Sequence, residues 1–150
     1  MKTYTRPGLA DAVIELLERI GVAQAAVFSW SFGGHIGIEM MTRFPGLLGL
    51  MISGSPPVSQ HAMVQGFHSL PQMGAAGKAV LSPAEVEAFL FAIFGDSAEP
   101  FLRDAVIRTD PRFRKRLFDA APSGAGVDQR EVVESSPIPL AVVNGIGQYR

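Results

Sequence analysis

The chain has 150 residues, a mass of 16.0 kDa and a formal net charge of −1; 47% of its residues are hydrophobic, 18% are charged and none is cysteine. That is too apolar for a disordered chain, and the missing cysteine excludes disulfide scaffolds, thiolate zinc sites, iron–sulfur clusters and thiol catalysis. The near-neutral charge leaves no electrostatic footprint for nucleic acid; no apolar run approaches the roughly 18 residues of a membrane span; and Met1–Arg6 lacks a signal peptide's apolar stretch, so a soluble, cytoplasmic chain is expected.

In chain order, Leu9, Val13, Leu16, Leu17 and Ile20 trace one face of an amphipathic helix that Gly21 is placed to cap. Ala25-Ala26-Val27-Phe28 is too short for a helix and suits a strand of a parallel sheet, apolar on both faces. A second helix is predicted from about Gly34 to Phe44, stopped by Pro45-Gly46, and a second strand from Leu48 to Ile52. Alternation of helix and strand marks an α/β fold with a parallel sheet. From residue 58 to 126 the pattern turns helical. Ser82-Pro83-Ala84-Glu85 opens one helix with a capping box, and two more are predicted near Pro100–Arg108 and Pro111–Ala120. A polar stretch then leads to a third strand, Leu140–Val143. The expected organisation is a core segment 1–57, a helical insertion 58–126 and a return to the core over 127–150.

The chemistry concentrates where the first strand passes into the second helix, at Ser29-Trp30-Ser31-Phe32-Gly33-Gly34-His35. A serine hydroxyl is a poor nucleophile unless it is exposed, oriented and deprotonated by a base. A tight strand-to-helix turn meets the first two needs by lifting Ser31 above the sheet's edge, and it needs small residues two before and two after, here Ser29 and Gly33. The following helix turns its free N–H groups toward the same place, so the Phe32 N–H is the expected oxyanion donor.

At these residues the sequence resembles the α/β-hydrolase family, whose nucleophile elbow G-x-S-x-G appears as Ser29-Trp30-Ser31-Phe32-Gly33. The resemblance implies a partial α/β-hydrolase fold, with parallel strands, flanking helices and the 58–126 insertion in the place of a cap. It further implies acyl transfer through Ser31 on an ester or similar carbonyl of a small, apolar molecule, with no cofactor, no metal, no nucleic acid and no membrane as partner. Family order then requires an acid and, later, a histidine. Ser53-Gly54-Ser55, after the second strand, has no carboxylate, and Gln148 stands about where an acid is expected after the third. His35 reads as a packing or hydrogen-bonding residue, while His61 and His68 fall out of family order. Nothing before Leu9 supplies the first strands or the second oxyanion donor.

By mass the chain suits a single domain, since a body of this size buries about 68–70% of its unfolded surface. By topology it reads as the middle of a larger one, weakly active or inactive alone. The alternatives are a non-catalytic fragment acting as an interaction module, and a small protein that completes its sheet with a second copy. Two lesser features each allow two readings. The basic cluster Arg108, Arg112, Arg114, Lys115 and Arg116 reads as a solvated helix face or an anion site, and Phe89, Phe91, Phe94 and Phe101 as core or pocket wall.

Overall fold

The computed structural model describes residues 3–59, 74, 77–120 and 124–144. Its elements are α1 (Arg6–Arg19), β1 (Ala25–Trp30), α2 (Phe32–Met41), β2 (Leu47–Ser53), α3 (Pro83–Phe94), α4 (Pro100–Arg108), α5 (Pro111–Ala120), α6 (Gln129–Glu134) and β3 (Leu140–Val143). They fall into two compact units, Met1–Phe67 with Gly124–Arg150, and His68–Ser123.

The first unit is an α/β layer. Its three strands are parallel in the order β1-β2-β3, with Val27 opposite Leu50, Ser29 opposite Ile52 and Ile52 opposite Val142. α1 starts where the Thr5 hydroxyl accepts the Gly8 N–H at 3.1 Å, with Pro7 in the first turn, where its missing N–H costs no bond. It ends as expected at Gly21, whose φ of +75° lets Val22 N–H reach the Leu17 carbonyl at 2.8 Å.

The core forms two clusters. Ala10, Met40, Phe44 and Leu47 join α1, α2 and β2, with Val13, Ile14 and Leu17 against them. Ile38, Leu50 and Ile52 join α2 to the sheet, with Val132 and Val133 of α6 added. The buried stripe of α1 thus runs through Ala10, Val13, Ile14 and Leu17, while Leu16 and Ile20 from the expected stripe are exposed.

One expectation about the sheet needs correcting. β1 is not buried on both faces: its even-numbered residues lie toward water, with Phe28 65% and Trp30 57% exposed. Met51 and Val143, which share that face by register, are exposed too. The reason lies in the helix packing, because the core contacts of α1, α2 and α6 all go to the opposite face, that of Val27, Leu50 and Ile52.

The second unit is helical over its described residues. The Ser82 hydroxyl accepts the Glu85 N–H at 3.3 Å and Glu85 accepts the Ser82 N–H at 2.8 Å, the predicted capping box. Lys78 and Ser82 hold the Glu85 carboxyl down at about 2. Val86 and Leu90 are its buried residues, and Arg103 of α4 pairs with Glu87 of α3 at 2.8 Å. The basic cluster is largely engaged locally: Arg112 with Asp110 at 2.9 Å, Lys115 with Asp119 at 2.7 Å, and Arg114 with the Val106 carbonyl at 2.7 Å. Phe89 and Phe94 are half-buried while Phe91 and Phe101 are exposed, so the four do not share one core face.

Candidate active site

β1 extends to Trp30 and α2 begins at Phe32, leaving Ser31 alone to make the turn. It does so at φ 52°, ψ −130°, the one positive φ of a non-glycine residue among those described. A side chain in that region costs about 1–3 kcal/mol and persists only where its surroundings over-determine it. Ser31 is exposed, and its hydroxyl is not spent on capping α2. The first N–H groups of a helix have no acceptor within it and carry its positive dipole end, so the Phe32 N–H beside Ser31 suits an incoming oxyanion. No acidic residue occupies that first turn to compete for it.

Glycine permits the close approach of α2 to the sheet, though not at the position the motif suggests. A Cβ on Gly33 would meet only the Ser29 Cβ at 3.9 Å, an ordinary contact. On Gly34 it would stand 2.5 Å from Ile52 Cγ2 and 2.6 Å from Ser55 Oγ, and on Gly37 it would stand 2.8 Å from Leu50 Cδ1. Gly34 and Gly37 face β2; Gly33 does not.

The loop after β2 contains no carboxylate and instead holds the elbow. The Ser31 N–H donates to the Ser53 carbonyl at 2.9 Å, the Ser55 hydroxyl donates to the Ser31 carbonyl, and the Gly54 N–H donates to the Val143 carbonyl at 3.1 Å.

His35 is buried on α2, its Nδ1 2.7 Å from Gln129 Oε1, while Gln129 Nε2 donates to the His35 carbonyl at 3.3 Å. An amide oxygen only accepts, so Nδ1 carries the proton. Burial pushes the imidazole's pKa down, with Arg6 adding to the effect and the Gln129 bond opposing it. This histidine is a structural tie between α2 and α6. Among the described residues, no imidazole or carboxylate hydrogen-bonds the Ser31 hydroxyl. His61, His68 and Gln148 lie outside the described residues.

A second buried group went unread in the sequence. Glu39 is fully buried on α2, accepts the Val127 N–H at 3.1 Å and lies 3.8 Å from both Arg6 and Arg43. Burial pushes its carboxyl upward against those partners. A lone acid in the apolar run of α2 was the available signal. A shallow depression lies along α6, lined by Ser59, Asp128, Arg130, Glu131, Glu134 and Ser135, and does not include Ser31.

The His35 tie makes stability depend on pH. In the unfolded chain the imidazole titrates near 6.5, and in the folded one burial keeps it lower. Between those values the unfolded chain takes up a proton that the folded chain refuses, so stability falls as pH drops below about 6.5. The urea midpoint of the wild type is expected to fall further between pH 7.5 and 5.5 than that of His35→Gln; equal falls would refute this.

No protein-family model matches the chain, and no curated protein does. Solved structures do. A complex of the N-acyl homoserine lactonase AidH with N-butanoyl homoserine aligns at a TM-score of 0.89 and 45% identity, covering 96% of this chain and 53% of that one. A variant with one serine replaced by glycine, complexed with N-hexanoyl homoserine lactone, aligns at 0.89 and 44% identity. A variant with a glutamate replaced by glycine, complexed with N-hexanoyl homoserine, aligns at 0.90 and 45%. The chain spans about half the length of these lactonase chains.

Proposed function

Since this chain carries part of an α/β-hydrolase fold, we propose that it is a serine hydrolase-type protein whose Ser31 attacks the carbonyl of a lactone or similar ester, with an acyl homoserine lactone as the favoured substrate class. The observation that carries this is the elbow itself: an exposed serine at φ 52° between a parallel strand and the N-terminus of a helix.

In the proposed step, Ser31 Oγ bonds to the lactone carbonyl carbon, and the carbonyl oxygen becomes an oxyanion that accepts from the Phe32 N–H. The ring C–O bond then breaks, and the departing oxygen takes up the proton that the Ser31 hydroxyl gave up and stays tethered as a hydroxyl. Water later cleaves the Ser31 ester and releases the ring-opened acid.

The related lactonase supports the role of the serine. Its Ser→Gly variant is complexed with the lactone, whereas its other two complexes hold N-acyl homoserines. The serine and the glutamate replaced in its variants are separated by as many positions as Ser31 and Gln148. A neutral amide at an acid's position can orient an imidazole but cannot stabilise an imidazolium; in serine proteases that exchange costs about 10⁴ in rate. We therefore expect slow turnover.

The test is hydrolysis of N-hexanoyl homoserine lactone and of a p-nitrophenyl ester by the wild type and by Ser31→Ala. The wild type is expected to be slow but above the variant, and equal rates would end the nucleophile assignment.

The exposed apolar face of Phe28, Trp30, Met51 and Val143 favours a second reading, in which the chain acts as an interaction module. Apolar patches on a bare parallel sheet are normally covered. On that reading the chain elutes above its monomer size in gel filtration, and a Phe28→Ser, Trp30→Ser double variant shifts toward monomer. A monomer at all concentrations would exclude it.

A further inference from the structure

The turn out of β2 stands where the hydrolase resemblance leads one to look for a carboxylate, yet it reads Ser53-Gly54-Ser55. Its hydrogen bonds give it a different task. Both backbone polar groups of Ser31 are held at this turn: the N–H by the carbonyl of Ser53, the last residue of β2, at 2.9 Å, and the carbonyl by the Ser55 hydroxyl of the loop. That carbonyl also accepts the Gly34 N–H at 2.9 Å, so one oxygen joins the loop to the first turn of α2. Ser55 is fully buried, and the space between its Oγ and residue 34 admits no Cβ, which would sit 2.6 Å away. Gly54, at φ +69°, ties the same loop to Val143 at the end of β3.

We propose that Ser55 is a positioning residue for the nucleophile and its oxyanion donor, a proposal that rests on the assignment of Ser31 above. The planarity of the peptide links the two groups. The Ser31 carbonyl and the Phe32 N–H belong to one peptide unit and point in opposite directions across it. A hydroxyl that fixes the carbonyl therefore fixes the direction of the N–H that receives the oxyanion. The same bond helps hold Ser31 at a positive φ that a serine rarely adopts, and so fixes where its own hydroxyl points. Ser55 touches no substrate in this scheme and acts through Ser31.

The test compares Ser55→Thr with Ser55→Val in the full chain. The two side chains have the same shape and differ in the hydroxyl, so any crowding from the added carbon is common to both. Amide hydrogen exchange is read at Ser31 and Gly34, whose N–H groups lie in the elbow, and at Ala10 in the α1 core. Exchange at Ser31 and Gly34 is expected to be at least about tenfold faster in Ser55→Val than in Ser55→Thr, with Ala10 unchanged. Lactone hydrolysis is expected to fall about tenfold in kcat between the same two variants at constant KM. Equal exchange in the two variants overturns the proposal, and so does equal acceleration at Ala10, which would report a general loss of stability. Should Ser55→Val fail to fold, Ser55→Ala against the wild type reads the same quantities. If the elbow loosens as expected but Ser31→Ala hydrolyses lactone as fast as the wild type, the peptide anchor is supported and the catalytic assignment of Ser31 is overturned.

Discussion

Ser31→Gly is expected to give a more stable chain that no longer opens a lactone. Glycine adopts a positive φ freely, so the substitution relieves strain of about 1–3 kcal/mol at φ 52°. Against this, glycine makes the unfolded chain more flexible, at a cost of about 0.4–1 kcal/mol. The net gain is about 1 kcal/mol, or about 2–4 °C in thermal midpoint for a body of this size. Ser31→Ala keeps the Cβ and its strain and is expected to leave the midpoint nearly unchanged while losing the same activity. Opposite movements of stability and activity at one position are what a strained functional residue produces. A glycine variant no more stable than the alanine variant would show that the turn stores no strain.

Gly34→Ala is expected to be far more damaging than the same change at its neighbour Gly33. The added Cβ would stand 2.5 Å from Ile52 Cγ2, 2.6 Å from Ser55 Oγ and 2.8 Å from Ser55 Cβ. Ile52 and Ser55 are both fully buried and have nowhere to move. Overpacking of this kind costs about 1–3 kcal/mol, and here the upper end is expected because relief also requires lifting α2 from β2. Gly33→Ala, one position earlier, meets only a 3.9 Å contact and is expected to change stability by under about 1 kcal/mol, the ordinary helix preference for alanine working in its favour. Urea denaturation of the pair checks the claim, and a Gly33 variant as damaged as the Gly34 variant would contradict it.

These two glycines also mark where sequence reasoning stops. The motif shows that a turn of small residues surrounds Ser31, but which glycine faces β2 depends on the rotational phase of α2 against the sheet, and spacing does not encode that phase. Local chemistry was legible: the Ser82–Glu85 capping box and the Gly21 cap involve residues within a few positions of each other. The strands were legible as apolar runs. Their exposed face was not, because burial depends on which elements cover each side. α6 was missed, being six residues long with only Val132 and Val133 apolar in a polar stretch. The His35–Gln129 tie and the Glu39–Val127 bond span 94 and 88 positions, and nothing in a single sequence pairs residues so far apart.

The central claim, that Ser31 is the nucleophile, is tested most directly by mass spectrometry of the chain incubated with N-hexanoyl homoserine lactone. Opening a ring expels no fragment, so the acylated chain gains the full mass of the lactone. With the neutral amide of Gln148 at the acid's position, release by water is expected to be slow enough for the adduct to be seen. The predicted result is that added mass on the peptide containing Ser31, and its absence from Ser31→Ala. An unmodified Ser31, with wild type and Ser31→Ala hydrolysing the lactone at the same rate, would contradict the account.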